Sequence, residues 1–441
     1  MKRKIAFISE HASPLAVLGG VDSGGQNVYV AEICKSLAKM GYIIDIFTRK
    51  DAQELPVIVN WLPNIRVIHV KAGPAADVPK ERLLDYMDEF TVNMRQFITD
   101  FRIHYDLIHA NFFMSGLVAS RLKKQLGIPY VITFHALGKI RMIHQKEQDA
   151  FPPVRLDIEQ MIVNDADYVI AECPQDEQDL IEHYGADPSK ITIIPCGFSS
   201  KEFYPLPKAK ARARLGLQQE DLVLLQLGRV VPRKGIDNVI RAMHYLKDIP
   251  KIRLLVVGGS ADQPDFEKDS ELRRLRSVAE EEGVAMSVEF TGRRSREQLK
   301  SYYQAADFFI STPWYEPFGI TPLEAMACGT PVIGSAVGGI KYTVRDGETG
   351  FLVPPHDPEA LAGAIRKGIA CPEKYQQLCR NAIKRVNRFF TWDFVAREAD
   401  QLYAKVAIRK YALPAYLLHL KRPKQKRFRN IQANATMYAA S

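Results

Sequence analysis

The chain has 441 residues, of which 46% are apolar and 25% are charged. This length exceeds the size at which one hydrophobic core stops growing, so we expect two folded domains, and the composition argues against a largely disordered chain. Nearly all of the net charge of +9 comes from the C-terminal end of the chain. Eight Lys and Arg residues and no acidic residue occur from position 409 onward, whereas the rest carries 52 basic and 51 acidic residues. The body is nearly neutral, and we expect no specific nucleic-acid partner.

The N-terminal sequence MKRKIAFISEH has too short an apolar run for a signal peptide. No stretch of the chain approaches the roughly 18 apolar residues that cross a membrane. The six cysteines are scattered, without a CxxC pair or a histidine at zinc-binding spacing. We therefore predict a cytoplasmic protein with reduced thiols.

In the first half of the chain, short β-rich segments alternate with amphipathic helical segments. This is the pattern of a parallel sheet covered by helices. The first helix is predicted at about 26–40, ending at Gly41, which suits a helix C-terminus. The predicted strands are 5–9, 43–48, 66–70, 106–110, 130–134, 168–172 and 191–195.

The alternation starts again after a segment rich in Pro and Gly near residue 200. The predicted strands there are 222–228, 253–259, 288–292, 307–312, 330–334 and 350–354. We predict an α/β protein with two Rossmann-like, doubly wound parallel-sheet domains, at 1–200 and 207–390, facing a cleft. Such sheets bind ligands at the carboxyl ends of their strands.

A final helix is predicted at about 391–407, where it could cross back to the first domain. Residues 408–441 form a basic tail. Its segment 421–429, KRPKQKRFR, follows the apolar YALPAYLLHL and could make weak contact with an anionic membrane surface. A solvated terminus is the alternative.

The sequence WYEPFGITPLEAM contains two carboxylates, Glu316 and Glu324, on either side of a turn that opens a helix. Carboxylates accept hydrogen bonds from the hydroxyl pairs of a sugar or a ribose. Free N–H groups at a helix N-terminus suit a phosphate oxygen, so the module as a whole fits a sugar nucleotide. Its intervening residues are Phe318, Gly319, Ile320 and Thr321. The alternative is a surface carboxylate and a helix N-terminal charge.

A loop of sequence LGRVVPRKG follows the first strand of the second domain and contains Arg229 and Lys234. Fixed cations near a departing diphosphate would stabilise the negative charge that develops as the glycosidic bond breaks. A solvated basic loop is the alternative.

A Gly-rich loop at 18–33 separates the first strand from the first helix and lacks the GxGxxG dinucleotide fingerprint. Gly24 and Gly25 would allow backbone to approach a ligand closely. Gln26 and Asn27 could then present amides to hydroxyl groups. The alternative is a flexible loop without a binding role.

His135 ends a predicted strand at the cleft and is a candidate contact to the transferred sugar, although a single histidine is as often structural. The Asp165-Ala166-Asp167 sequence lies at a helix-to-strand junction, so we interpret it as structural. We expect no metal ion and no cofactor, with Arg229, Lys234 and backbone N–H groups balancing the diphosphate.

These motifs resemble glycosyltransferase family 4, the retaining enzymes of the GT-B fold, up to about residue 407. The resemblance implies that domain 207–390 binds the nucleotide sugar and domain 1–200 the acceptor. It implies that Glu316 and the following amides hold the donor sugar and Glu324 the ribose. The other implied contacts are Arg229 and Lys234 to the diphosphate, Gly292 and Arg293 beside the base, and His135 at the reacting centre.

Two subgroups of that family compete. The N-terminal stretch EHASPLAVLGGVDSGGQNVYV resembles enzymes that glycosylate inositol 3-phosphate, whereas Gln26 and the LGK after His135 resemble sucrose-phosphate synthases. Lys80 and Arg155 match two phosphate-binding positions of the inositol-phosphate enzymes. Phe112 and Ala136 stand where those enzymes have two hydroxyl groups. The resemblance implies a small, phosphorylated sugar or inositol acceptor.

The predicted reaction transfers glucose or N-acetylglucosamine from a UDP-sugar to that acceptor, by front-face attack because no nucleophile is evident. Transfer from UDP-glucose to fructose 6-phosphate and transfer from GDP-mannose are alternatives within the family. A sugar-nucleotide epimerase and a non-catalytic sugar-nucleotide sensor are alternatives of another class. The sequence leaves the oligomeric state open.

Overall fold

The structure is a computed structural model that describes residues 3–16, 24–146 and 149–420, with side chains up to residue 407. The basic segment 421–429 and most of the Gly-rich loop before Gly24 lie outside the described residues. Two α/β units account for the described chain, each built around its own sheet. The predicted fold class is confirmed.

The first sheet has eight strands in the order β3-β4-β2-β1-β5-β6-β7-β8. All of its recorded pairings are parallel except β3 with β4. The strands are β1 (Lys4–Ile8), β2 (Ile43–Arg49), β3 (Ile58–Leu62), β4 (Ile65–Val70), β5 (Leu107–Asn111), β6 (Tyr130–Thr133), β7 (Tyr168–Ala171) and β8 (Ile191–Ile193). The helices between them are α1 (Gly25–Lys39), α2 (Met87–Asp100), α3 (Phe113–Leu126), α4 (Gly138–Gln145), α5 (Val154–Asp165) and α6 (Pro174–Tyr184).

The second sheet has six strands in the order β11-β10-β9-β12-β13-β14, and its pairings are parallel. The strands are β9 (Leu222–Leu227), β10 (Ile252–Val257), β11 (Val288–Gly292), β12 (Phe308–Ser311), β13 (Val332–Ser335) and β14 (Gly350–Val353). The helices are α7 (Lys208–Leu215), α8 (Ile236–His244), α9 (Ser270–Glu281), α10 (Arg296–Ala305), α11 (Ile320–Ala327), α12 (Gly338–Thr343), α13 (Pro358–Ile369) and α14 (Pro372–Phe389), followed by α15 (Trp392–Leu420).

Every predicted strand is present within two residues of its predicted bounds, but the sequence analysis missed β3. This strand lies at the edge of the first sheet and is only partly buried along its length. It forms a hairpin with β4 around Asn64, whose φ of 66° is the left-handed conformation such a turn needs. An edge strand lacks the continuous apolar run that identifies the central strands.

The chain passes from the first unit to the second and later returns, and the two connecting segments lie side by side. Phe198 forms a bridge with Thr391, and its N–H donates to the carbonyl of Phe390 at 2.8 Å. Gly197 lies against the indole of Trp392, where a Cβ atom would approach a ring carbon within 2.8 Å. The two connecting segments therefore form one packed junction.

Helix α15 returns to the first unit and packs on α1 and β5. The Tyr403 hydroxyl lies 2.7 Å from Nδ1 of His109, and Ser36 donates to Asp393 at 3.0 Å. The helix ends at Leu420, thirteen residues beyond its predicted end, so it includes the first part of the predicted tail. Among the described residues, no helix is both long enough and apolar enough to cross a membrane.

The Asp165-Ala166-Asp167 sequence joins α5 to β7, as the spacing predicted. Asp167 accepts the N–H of Tyr130 at 2.9 Å and pairs with Lys123 at 3.0 Å. The Tyr130 hydroxyl donates to Asp165 at 3.1 Å. These carboxylates hold the junction together. Among the described residues, no group of three or more His, Cys, Asp or Glu side chains is arranged to hold a metal ion.

We expect the stability of this fold to fall in acid because of His109. Burial is the main cause that lowers its pKa from 6.5 to about 3. The unfolded chain takes up a proton below pH 6.5 while the folded chain does not, so stability is lost as the pH falls from 6.5 towards 3, by up to about 1.4 kcal/mol per pH unit. Denaturant unfolding at several pH values measures this slope. His109→Gln should flatten the slope over that range, and an unchanged slope would contradict the prediction.

Candidate active site

A cavity of about 370 Å³ lies between the two units at the carboxyl ends of both sheets. Its walls are formed by residues that follow β1, β5, β6 and β7 on one side and β9, β10, β11 and β12 on the other. The predicted site residues that line it are Gly24, Gly25, Gln26, Asn27, Lys80, Phe112, His135, Arg229, Lys234, Arg293, Glu316, Phe318, Gly319, Ile320, Thr321 and Glu324. Gly292 and Arg155 do not line it.

Glu316 and Lys234 form a partly buried ion pair in the wall of the second unit, through Oε2 of the carboxylate and Nζ of the lysine. Nη1 of Arg233 lies 3.8 Å from the same oxygen. Burial alone would raise the pKa of Glu316, but the charges of Lys234 and Arg233 outweigh it and hold that pKa below its usual value. Burial lowers the pKa of Lys234, against the opposing charge of Glu316. The carboxylate is thus kept ionised at the cavity wall.

The loop that carries Lys234 follows β9 and packs closely against the end of β12. Gly235 has a φ of 63°, and a Cβ atom there would lie 2.1 Å from the carbonyl oxygen of Thr312. The carbonyl of Arg233 accepts the N–H of Trp314 at 2.9 Å. These contacts bring the cation of one loop to the carboxylate of the next.

Glu324 lies in the first turns of α11, and its side chain is 3% exposed. Oε1 accepts from Arg296 at 3.0 Å, and Oε2 accepts from the Tyr303 hydroxyl at 2.8 Å. Burial raises the pKa of Glu324, against the charge of Arg296. The carboxylate therefore has a fixed orientation at the cavity edge.

Two glycines place the loop before α11. A Cβ atom at Gly338 would lie 1.9 Å from the carbonyl oxygen of Glu316, and one at Gly339 would lie 2.3 Å from backbone atoms of Phe318. The N–H of Gly339 donates to Glu316 at 3.1 Å. Gly319, at a φ of 90°, then directs the chain into α11, whose first residues, Ile320 and Thr321, line the cavity. The first N–H groups of a helix have no partner within the helix.

On the opposite wall, the polar side chains that were predicted to contact a ligand form hydrogen bonds within the protein instead. Nδ1 of His135 lies 3.1 Å from Glu172, and Nε2 lies 3.1 Å from the side-chain oxygen of Asn111. The Gln26 amide donates to Ser9 at 3.1 Å. Both ring nitrogens of His135 are thus engaged, and a substrate could reach one only by displacing a partner.

The side-chain amide of Asn27 also forms its hydrogen bonds within the protein. Its oxygen accepts the N–H of Gly24 at 2.9 Å, and its nitrogen donates to the carbonyl of Ser13 at 2.9 Å. These bonds tie the start of α1 to the segment after β1. The backbone of Gly24 and Gly25 remains at the cavity surface.

Arg155 is the predicted acceptor contact that the structure places elsewhere. Its guanidinium is ion-paired with Glu159 at 2.7 Å and donates to the carbonyl of Ala136 at 2.6 Å. The ring centre of Phe112, which lines the cavity, lies 5.0 Å from the guanidinium. Arg155 therefore contacts Phe112 and Ala136, which both line the cavity, without lining it itself.

Gly292 is the other predicted site residue that does not line the cavity. Its φ is 78°, and a Cβ atom there would lie 2.5 Å from the carbonyl oxygen of Asp262. Its own carbonyl accepts the N–H of Gly258 at 3.0 Å. Gly292 therefore shapes the turn that presents Arg293, which does line the cavity.

The sequence analysis missed Arg141 and His11, which belong to the first unit's wall. Arg141, on α4, lines the cavity and is held by Asp149 at 2.8 Å. His11 lines it beside Phe112, and its Nδ1 lies 2.7 Å from the buried carboxylate of Glu10. The Glu-His pair directly follows β1, a position that the carboxyl-end rule for parallel sheets could have identified.

Comparison with known proteins agrees with this geometry. The family model described as "Glycosyltransferase Family 4" matches residues 23–202, and that described as "Glycosyl transferases group 1" matches residues 207–385. The chain belongs to glycosyltransferase family 4. This glycosyltransferase is 37% identical to the D-inositol 3-phosphate glycosyltransferase of Acidothermus cellulolyticus, over 89% of this chain and 88% of that protein.

Solved structures extend the comparison. The sucrose-phosphate synthase of Thermosynechococcus elongatus is 38% identical, with a TM-score of 0.83, over 92% of this chain and 99% of that one. The HepE protein of Anabaena, solved with UDP and glucose, has a TM-score of 0.70 at 21% identity, over 91% and 99% of the two chains. The latter likeness concerns the fold alone.

The close approach at Gly339 makes this wall of the cavity sensitive to one methyl group. Gly339→Ala should push the Glu316–Gly319 loop out of place and weaken nucleotide-sugar binding about 10- to 100-fold. Gly363→Ala in α13 is the control, because no atom lies within 4 Å of the added Cβ. It should leave binding unchanged and raise the free energy of unfolding by about 0.5–1 kcal/mol. Calorimetric titration and denaturant unfolding measure both, and equal binding by the two variants would contradict the prediction.

Proposed function

We propose that this glycosyltransferase moves a hexose from a UDP-hexose to a small phosphorylated sugar or inositol acceptor, with retention of configuration at the anomeric carbon. One observation carries the proposal. Glu316, Glu324, Arg229 and Lys234 all line one cavity, together with the N-terminal turn of α11.

The wall of the second unit has the chemistry of a nucleotide-sugar site. Glu316 is ionised and rigid, so it can accept hydrogen bonds from sugar hydroxyls. Lys234 and Arg229 stand beside it as cations for the diphosphate, and free backbone N–H groups add further donors. Glu324 lies at the other end of the same turn, where a ribose would extend from the diphosphate.

The wall of the first unit favours a phosphorylated acceptor. Lys80 and Arg141 line it and supply positive charge, while Phe112 and Ala136 make the surface beside them apolar. These cations suit the phosphate of such an acceptor. The hydroxyl groups of the acceptor ring would then lie towards the donor sugar. The names of the two relatives above, an inositol-phosphate glycosyltransferase and a sucrose-phosphate synthase, support the same acceptor class.

Retention is proposed to proceed by front-face attack. Among the described residues, three carboxylates line the cavity, and each is already paired: Glu316 with Lys234, Glu324 with Arg296, and Glu172 with His135 and Cys196. None is placed as a free nucleophile. The acceptor hydroxyl oxygen then bonds to the anomeric carbon as the bond to the β-phosphate oxygen breaks, and the hydroxyl proton passes to that phosphate.

The central experiment incubates the protein with UDP-glucose or UDP-N-acetylglucosamine and, separately, inositol 3-phosphate or fructose 6-phosphate. We expect UDP release that requires one acceptor, and a product whose anomeric proton coupling shows the donor's α configuration. UDP release without any acceptor, or an isomerised sugar nucleotide, would instead support an epimerase. Tight binding with no turnover would support a sensor. A β-linked product would contradict retention.

Loss of the lysine cation tests the leaving-group role. Lys234→Ala should lower kcat by roughly thirty- to a thousand-fold, about 2–4 kcal/mol of transition-state stabilisation. Lys251→Ala is the control, since that side chain is 58% exposed. Melting curves of both variants separate catalysis from folding, because Lys234→Ala also leaves Glu316 without its partner. A folded Lys234→Ala protein with wild-type kcat would remove Lys234 from the mechanism.

Loss of charge on the acceptor wall tests the phosphate site. Lys80→Gln should raise KM for the phosphorylated acceptor about tenfold or more while KM for the donor changes little. Lys71→Gln, an exposed residue before the same segment, is the matched control. Steady-state kinetics with each substrate varied in turn gives both constants. Equal effects of Lys80→Gln on donor and acceptor would argue against a phosphate there.

A further inference from the structure

Arg233 is a cation of the cavity wall that the mechanism above leaves unused. Its side chain is 17% exposed, and its Nη1 atom is shielded from solvent with no hydrogen-bond partner among the described residues. The carboxylate oxygen of Glu316 lies 3.8 Å from that atom, too far for a hydrogen bond. Glu316 already pairs with Lys234 through the same oxygen. The protein therefore leaves the charge of Arg233 incompletely compensated.

The guanidinium is nevertheless held in place. It lies over the ring of Tyr315, 5.4 Å from its centre. Tyr315 is in turn stacked on His144 of α4, with 4.9 Å between ring centres and 17° between planes, and its hydroxyl accepts from Gln145. Arg233 is thus packed on a ring that is itself held by α4 of the other unit. An ordered cation costs little to reorganise during a reaction.

The local charge balance indicates what Arg233 compensates. Arg229, Lys234 and Glu316 together carry one net positive charge, whereas the diphosphate of a nucleotide sugar carries two negative charges. Arg233 supplies the second positive charge. Cleavage of the glycosidic bond places further negative charge on the departing phosphate, where a fixed cation stabilises the transition state.

We propose that Arg233 is a further catalytic residue, which binds the diphosphate and stabilises it as it leaves. This inference rests on the proposed function. As the anomeric carbon loses the β-phosphate oxygen, the bonding electron pair moves to that oxygen, and Arg233 balances the charge together with Arg229 and Lys234. The acceptor hydroxyl supplies the new bond to carbon and gives its proton to the phosphate.

Nucleotide binding in the absence of acceptor tests the inference. Calorimetric titration of wild type, Arg233→Gln and Arg233→Lys with uridine, UMP and UDP should show UDP binding weakened about 10- to 100-fold in Arg233→Gln. Uridine binding should change less than twofold, and Arg233→Lys should restore part of the loss. Arg276→Gln, a 48% exposed arginine of α9, is the control for loss of one positive charge and should match wild type.

The outcomes separate this inference from the proposed function. If wild type binds UDP tightly and Arg233→Gln binds it equally well, Arg233 does not contact the diphosphate and the inference is overturned. A rise in acceptor KM with unchanged UDP affinity would also overturn it, by placing Arg233 at the acceptor. If wild type binds UDP no better than uridine, the proposed donor site itself fails. Arg233→Lys keeps the positive charge. If it restores part of the UDP affinity, the loss in Arg233→Gln comes from the missing charge and not from misfolding.

Discussion

A partly buried carboxylate paired with a lysine joins two loops of the second unit of this enzyme. The side chain of Glu316 is 12% exposed, and the charges of Lys234 and Arg233 hold its pKa below the usual value. Glu316 and Lys234 belong to different loops, after β9 and before α11, so their pairing fixes how these loops meet. Gly235 and Gly338 permit the close backbone contact that this requires. The paired loops bring Glu316, Lys234 and the N-terminus of α11 to one wall of the cavity.

The two walls of the cavity use their polar groups differently. In the second unit the charged side chains of Glu316 and Lys234 pair at the cavity wall. In the first unit, amide and imidazole groups form hydrogen bonds within the protein. His135 is held between Glu172 and Asn111, and Gln26 donates to Ser9. The positive charge on this side of the cavity comes from two longer side chains that line it, Lys80 and Arg141.

The residues that could be predicted from the sequence are those whose position follows from a strand end and a fixed spacing. Glu316 and Glu324 flank a helix start, and Lys234 lies a few residues after a buried strand, so topology alone brings them to one edge. Arg155 could not be placed in this way, because the rotation of α5 about its axis decides whether that side chain faces the cavity or Glu159. Arg141 depends on the same kind of information for α4. The edge strand β3 was missed because none of its residues is fully buried.

The return of α15 to the first sheet has a consequence for how the protein is made. Tyr403 completes the surroundings of the buried His109, yet nearly three hundred residues separate the two in the chain. A ribosome that has released the first 200 residues has not yet synthesised the helix that covers α1 and β5. That face of the nascent first unit therefore stays uncovered while the second unit is synthesised. The packing of the first unit is completed only after α15 has left the ribosome, behind all the strands of the second sheet.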